Sequence, residues 1–218
     1  MRTLTVGAVM TKDVAVVSPG TEFKDIAELL ARRRISAVAV VDGETLVGVV
    51  SEADLLPKEQ YAGEPAHHSR FGIHRDGRQR RKAAAVLARD LMTAPARTVG
   101  VAESLSAVAR QLTGTGLRRL FVVDGDKLVG VIARRDLVGV FLRADAEIKS
   151  EIERDVFGKA LLADPACYSV TVRNGEVMLL GRVERRSLVT AAGELAALVP
   201  GVVGVCNRLG YVWDDKRE

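Results

Sequence analysis

The sequence predicts an α+β protein: two tandem β-α-β-β-α units related by a pseudo-twofold axis, then a small α-β-β-α-β domain. Three observations predict it. Residues 6–56 recur 82 positions later without gaps. The strands of each copy are nearly continuous Val, Ala, Leu and Ile. The last third changes to alternating strands about an Asn-Gly turn.

The repeat is read residue by residue. Met10-Thr11 recurs as Met92-Thr93, Val40-Val41-Asp42-Gly43 as Val122-Val123-Asp124-Gly125, and Leu46-Val47-Gly48-Val49 as Leu128-Val129-Gly130-Val131. Asp54-Leu55 recurs as Asp136-Leu137. In each copy a short helical turn carries the Met-Thr pair, and an extended segment follows (13–17 and 96–99). An amphipathic helix comes next. Phe23, Ile26, Ala27, Leu29 and Leu30 form its apolar face in the first copy, with Thr21 as cap and Lys24 where a capping box would carry Glu. Leu105, Val108, Ala109 and Leu112 form it in the second, capped by Ser104 or Glu103.

Two strands then flank a glycine-containing turn: 37–41 and 46–50 in one copy, 120–123 and 128–132 in the other. Their unbroken apolar character predicts cover on both faces. A last helix begins near Ser51 or Ala133. One such unit buries too little apolar surface to stand alone, so the two copies are expected to pack sheet to sheet around a shared core. The predicted boundaries are 1–57 and 83–144 for the copies, 58–82 for a linker and 145–213 for the last domain.

In that last domain Ile148, Ile152, Val156 and Leu161 predict an amphipathic helix. Tyr168–Val172 alternates, Asn174-Gly175 turns, and Val177–Gly181 returns. A second helix spans about Ser187–Leu198, and Pro200-Gly201-Val202 leads to a strand over Val203–Leu209.

Of 218 residues, 48% are apolar and only 4% aromatic, so the cores are aliphatic. No apolar run approaches the ~18 residues of a membrane span. The first residues lack an uninterrupted apolar stretch, which predicts no secretory signal and a cytoplasmic setting. Cys167 and Cys206 have no metal-ligand spacing and read as reduced, semi-buried thiols; a bridge would need their strands side by side. The net charge of +4 is local: residues 57–82 hold seven cations against three carboxylates, and the rest balances. This linker, which also holds His67, His68 and His74, reads as a mobile loop. Arg78–Lys82 can touch phosphates or simply be solvated, and no aromatic platform argues for nucleic acid. The histidines lack the partners of a metal site.

The repeated pieces resemble the CBS motif, and their pairing resembles the Bateman module. The carriers are Val9-Met10-Thr11, the Val-Val-Asp-Gly hairpin, and Gly48-Val49-Val50-Ser51-Glu52-Ala53-Asp54, which matches the pattern Gly-h-h-(Thr/Ser)-x-x-Asp (h, hydrophobic). The second copy departs from it at Ala133. Val170-x-Val172, Asn174-Gly175-x-Val177-x-Leu179-x-Gly181-x-Val183 and Val199-Pro200-Gly201-Val202 resemble the BON domain. Gly181 and Gly201 serve backbone geometry in this reading.

Gly48 ends a strand, where a missing side chain lets a ligand approach the backbone. Ser51 opens a helix, which favours an anion. Asp54 one turn on can accept from both hydroxyls of a ribose. The resemblance implies the same assignment: aspartate on ribose, Ser or Thr on phosphate. It also implies adenine between the extended segment and the first hairpin strand. The residues so marked are Val14 and Val17 with Ser36, Ala37 and Val38, and Ala96 and Val99 with Arg118, Arg119 and Leu120. Ser51, Asp54, Arg134 and Asp136 complete the set. A second reading stands beside it, since Ser-x-x-Asp is also close to a capping box. The presence of Asp136 beside Ala133, which has no capping hydroxyl, favours the ligand reading. Arg118, Arg119, Arg134 and Arg135 lie in the second copy alone, so phosphates are expected on that side.

These features predict a regulatory protein that binds AMP, ADP, ATP or S-adenosylmethionine as a regulatory ligand, with no catalytic residues, no metal and no required cofactor. A homodimer through the paired motifs is expected. The BON resemblance implies a phospholipid or protein partner, with Arg182, Arg185 and Arg186 as candidate headgroup contacts. The alternative is a ligand-free dimerisation scaffold whose last domain does the binding.

Overall fold

A computed structural model of the chain describes residues 4–62 and 74–215. His67 and His68 lie outside the described residues. The described residues fall into two compact units. One is Met10–Glu103 with Leu112–Ile132; the other is the described part of Met1–Val9, Ser104–Gln111 and Ala133–Glu218.

In chain order the repeats contain α1 (Val6–Val9), β1 (Val16–Val17), α2 (Phe23–Arg33), β2 (Ala37–Asp42), β3 (Thr45–Ser51), α3 (Glu52–Leu55) and α4 (Pro57–Gln60). The chain continues with α5 (His74–Ala84), mostly between the copies, then α6 (Ala88–Leu91), β4 (Thr98–Gly100), α7 (Leu105–Thr115), β5 (Arg119–Asp124), β6 (Lys127–Ala133) and α8 (Arg134–Gly139).

The six strands form one sheet in the order β1-β2-β3-β6-β5-β4, a palindrome under exchange of the copies. The registers obey the same shift: Val16 lies opposite Ala39 in β1/β2, and Thr98 opposite Phe121 in β4/β5, both pairs parallel. Where the sequence predicts sheet-to-sheet packing, the halves join within one sheet at Thr45 opposite Lys127, and Lys127 Nζ lies 2.8 Å from Glu44. On one face Val38, Val40 and Val50 pack with Val17, Ile26 and Leu30 of the first copy. Their counterparts Leu120, Val122, Ile132 and Val99 are equally buried.

The copies also trade their Met-Thr turns. Thr11 pairs with Val131 and Thr93 with Val49, each through two backbone hydrogen bonds of 2.8–3.1 Å. The Met92 side chain therefore lies on Gly48, and Met10 on Gly130. A Cβ on either glycine would fall 2.5 Å from a methionine sulfur. This corrects the reading of Gly48 as a ligand approach, because Met92 fills that space. Thr21 is likewise not the cap of α2: its Oγ1 accepts from the Ser18 N–H at 3.0 Å. Ser104 does cap, accepting from the Ala107 N–H at 3.3 Å.

Helix α5 lies where the sequence suggests a loop. Its Arg, Gln, Lys and Ala residues are good helix formers. Its end is tied down by Lys58, whose Nζ donates to the Ala85 carbonyl at 2.8 Å, and Arg80 stacks 5.1 Å over the Tyr61 ring.

The remaining elements are α9 (Asp145–Glu151), running on as π-helix over Ile152–Ala160, then β7 (Tyr168–Arg173), β8 (Glu176–Arg185), α10 (Arg186–Ala197) and β9 (Gly204–Trp213). The sheet order is β7-β8-β9, antiparallel then parallel. Ile148, Ile152, Phe157, Val170, Leu179 and Ala192 centre the core. Asn174 (φ 50°) and Gly175 (φ 75°) form the predicted tight turn. The Asp145 carboxylate accepts from both their N–H groups, at 2.7 and 2.9 Å. Gly181 (φ 120°) leaves room for the Cys167 carbonyl, which a Cβ would meet at 2.3 Å. Cys167 precedes β7 and Cys206 lies on β9, so β8 separates them. Both thiols are exposed and free, not semi-buried.

Candidate functional site

The sheet presents its second face to a cavity of about 470 Å³ within the first unit. Strand periodicity decides who lines it. Ala37 of β2 and Ser51 of β3 are register partners facing it, as is Val49. On β5, Arg119 and Phe121 share the same parity and face it too. Residues of opposite parity point into the cores.

Seven of the sequence-marked residues line this cavity: Ser36, Ala37, Ser51, Asp54, Ala96, Arg118 and Arg119. The site is thus composite, with serine and aspartate from the first copy and the arginines from the second. Val17, Val38, Val99 and Leu120 are buried in the cores and do not line it. Val14 is half-buried outside the lining, and Arg134 is exposed. Within the strands the two-residue period sends Val38 and Leu120 away from Ala37 and Arg119, whereas Ser36 and Arg118 precede the strands and line the cavity beside them.

Asp54 is fully engaged. Its Oδ2 accepts from the Ser51 N–H at 2.8 Å and the Ser51 hydroxyl at 2.7 Å. Its Oδ1 accepts from the Lys82 ammonium and the Thr93 hydroxyl, the latter at 3.3 Å. The Lys82 ammonium also donates to Thr93 Oγ1 at 3.1 Å. The ion pair is largely buried, with side chains 11% and 13% exposed for Lys82 and Asp54. A second cavity of about 400 Å³ opens on the far side of this contact, lined by Arg78, Gln79, Lys82 and Pro57. Ala53, Asp54 and Thr93 belong to both linings.

In the other unit the Ala133 N–H donates to Asp136 Oδ2 at 2.8 Å. This half of a capping box needs no hydroxyl at residue 133, so the presence of Asp136 does not by itself speak for a ligand. Asp136 lines an open cavity of about 790 Å³ with Arg143 and Glu151. Arg143 is committed there to the Pro200 carbonyl and Glu151, both at 2.7 Å.

Sequence reasoning missed Thr93, Arg97 and Phe121; it named Arg78–Lys82 as candidate phosphate contacts but did not place Lys82 on Asp54. Thr93 carried a signal, since it belongs to the repeated Met-Thr pair. Phe121 follows from parity with Arg119. Nothing in the spacing places Lys82 on a carboxylate 28 residues away.

In the last domain Arg186 is held by Asp214 at 2.8 Å and lies 5.9 Å from the Tyr211 ring. Arg185 lies 5.6 Å over Trp213. Among the described residues no cluster suits a metal, and no helix is long and apolar enough to cross a membrane.

Comparison with known proteins bears on the family and the fold. The CBS domain model matches residues 6–59 and 88–143, and the BON domain model matches residues 144–212. The chain is 35% identical over 162 residues to the chloroplastic CBS domain-containing protein CBSX2 of Arabidopsis thaliana. The match covers 68% of this chain and 66% of that one, so the chain spans about two thirds of the relative's length. A crystal structure of CBSX2 in complex with AMP aligns with TM-score 0.56 and 34% identity, over 63% of this chain and 96% of that one. A putative acetoin utilization protein (AcuB) from Vibrio cholerae aligns with TM-score 0.52 and 21% identity, over 71% and 98% of the two chains, and bears on the fold alone.

Proposed function

From the premise that the chain belongs to the CBS domain family and carries a BON domain behind the pair, we propose that it is a regulatory sensor of an adenosine-containing nucleotide. The ligand occupies the cavity at Asp54. One observation carries the reading: a ligand-sized cavity joins Ser51 and Asp54 of one copy to Ala96, Arg118 and Arg119 of the other. Asp54 takes the ribose hydroxyls, and the cations around it suit an anionic ligand. The solved complex of CBSX2 with AMP supports the ligand class.

Binding at a seam between the copies biases whichever arrangement makes both sets of contacts, and this differential affinity is the switch. The BON domain passes it to a membrane or a partner protein. Support comes from its open sheet face, where Met178 and Leu180 are about two-fifths exposed and Leu180 lies beside Arg208. A homodimer belongs to the same proposal; Phe141 and Leu142, exposed by 57% and 84%, are apolar surface suited to a second copy.

Thermal unfolding with AMP, ADP, ATP and S-adenosylmethionine tests the reading. At least one raises the midpoint of the wild type, and Asp54→Ala abolishes that rise. If no ligand shifts the wild type at millimolar concentration, the sensor reading fails.

A second reading has its own support. The Asp54 carboxylate is saturated by Ser51, Lys82 and Thr93, as in a permanently closed scaffold. Flat calorimetry with every nucleotide, alongside an intact dimer, is the outcome that favours it.

A further inference from the structure

Resting on the sensor reading, we infer that Lys82 is the specificity-determining residue of the site and selects phosphorylated nucleotides against uncharged or net-cationic adenosine compounds. Lys82 lies on α5 in the segment between the repeats, and it occupies the carboxylate that the ribose must use. Asp54 Oδ1 accepts from Lys82 and Thr93, and Oδ2 from Ser51 twice. A carboxylate has about four acceptor positions, and these four donors fill them. A diol can therefore enter only by displacing a donor, and Lys82 is the donor that reaches Asp54 from the second cavity, outside the lining of the first.

What happens to the displaced ammonium decides the ligand. Lys82 is 11% exposed, so it cannot regain full hydration without leaving its place. Removing a charged partner from a buried pair is strongly unfavourable unless a new counter-charge arrives. A nucleotide phosphate supplies one, because Lys82 then exchanges a carboxylate for a phosphate within reach of its side chain. Adenosine brings no anion. S-adenosylmethionine sets one carboxylate against a sulfonium and an ammonium, so it offers Lys82 a weaker counter-charge than a phosphate does. The surroundings agree in sign: Arg97, Arg118 and Arg119 line one cavity and Arg78 the other, against Glu52 and Asp54. On this inference the phosphate lies toward Lys82 and Arg78, which line the second cavity with Asp54.

Calorimetry with AMP, ATP, adenosine and S-adenosylmethionine tests this on the full chain, as wild type, Lys82→Met and Lys82→Arg. The wild type binds AMP and ATP at least tenfold more tightly than adenosine. Lys82→Met weakens ATP, tightens adenosine and shrinks their ratio by tenfold or more, whereas Lys82→Arg keeps it. A wild-type preference for adenosine or S-adenosylmethionine over AMP overturns the inference without any variant, and so does an unchanged ratio in Lys82→Met. Absence of binding by all four ligands would instead sink the sensor reading, and this inference with it.

Discussion

Gly48 and Gly130 show how one atom can tie the two copies together. Each sits under a methionine of the opposite copy, and an added Cβ would meet that sulfur at 2.5 Å. Gly48→Ala should cost about 2 kcal/mol, in the range for overpacking a tight site. Met92→Ala costs its own loss of packing. The double variant should be more stable than the sum of the single losses by about 1 kcal/mol, because the clash disappears with the side chain. Urea unfolding of the four proteins measures this coupling; additive losses would show that Met92 and Gly48 do not meet. The sequence held both halves of the contact, a repeated glycine and a repeated methionine. It did not say that they meet across copies, since a repeat fixes composition and not which copy a residue touches. Asp54 was legible for a similar reason, as part of a spaced motif. Lys82 was not, because a cation in a basic run has no periodic signature.

Among elements, α9 and the β7/β8 hairpin are fastened by Asp145. Its carboxylate satisfies two turn N–H groups that would otherwise lack a protein partner. Asp145→Ala should lower stability by about 2 kcal/mol, as for loss of a charged hydrogen-bond acceptor, read from chemical unfolding of the purified protein. Asp155, on the π-helical continuation of α9, gives a pH dependence. Bonds from Arg154 first, then Lys159, hold its carboxyl well below the ordinary value of 3.8. A depressed folded value means that its contribution is complete above pH 3.8 and is lost as pH falls below it. Asp155→Asn should therefore lose less thermal midpoint than the wild type between pH 7 and pH 3. Equal losses in both proteins would refute this. The hairpin itself was readable, because Asn174-Gly175 demands positive φ at both residues and only one turn type provides it. Helix α5 was not, since glycine, histidine and charge suggested a loop while its later residues favour helix.

At the scale of the whole molecule, the palindrome β1-β2-β3-β6-β5-β4 was legible as a repeat, and its order follows from two equal hairpins meeting at their outer strands. The composite cavity was not, because the sequence reading paired each extended segment with its own copy. If the copies complete one another, the chain produced as two pieces, 1–62 and 74–218, should reassemble into a complex that co-elutes in gel filtration. Pieces that stay apart would show that covalent continuity holds them. Phe141→Glu with Leu142→Glu tests assembly: the mass by light scattering should fall to one chain if that surface receives a second copy.

The crossed methionines carry one more implication. A side chain that survives only while its counterpart elsewhere stays bare makes a duplicated gene segment answerable to its twin. Drift in either half must be matched in the other, so the seam stays symmetrical while the cavity walls are at liberty to diverge. Ala37 in one wall, where the other copy carries Arg119, is what such divided freedom leaves behind.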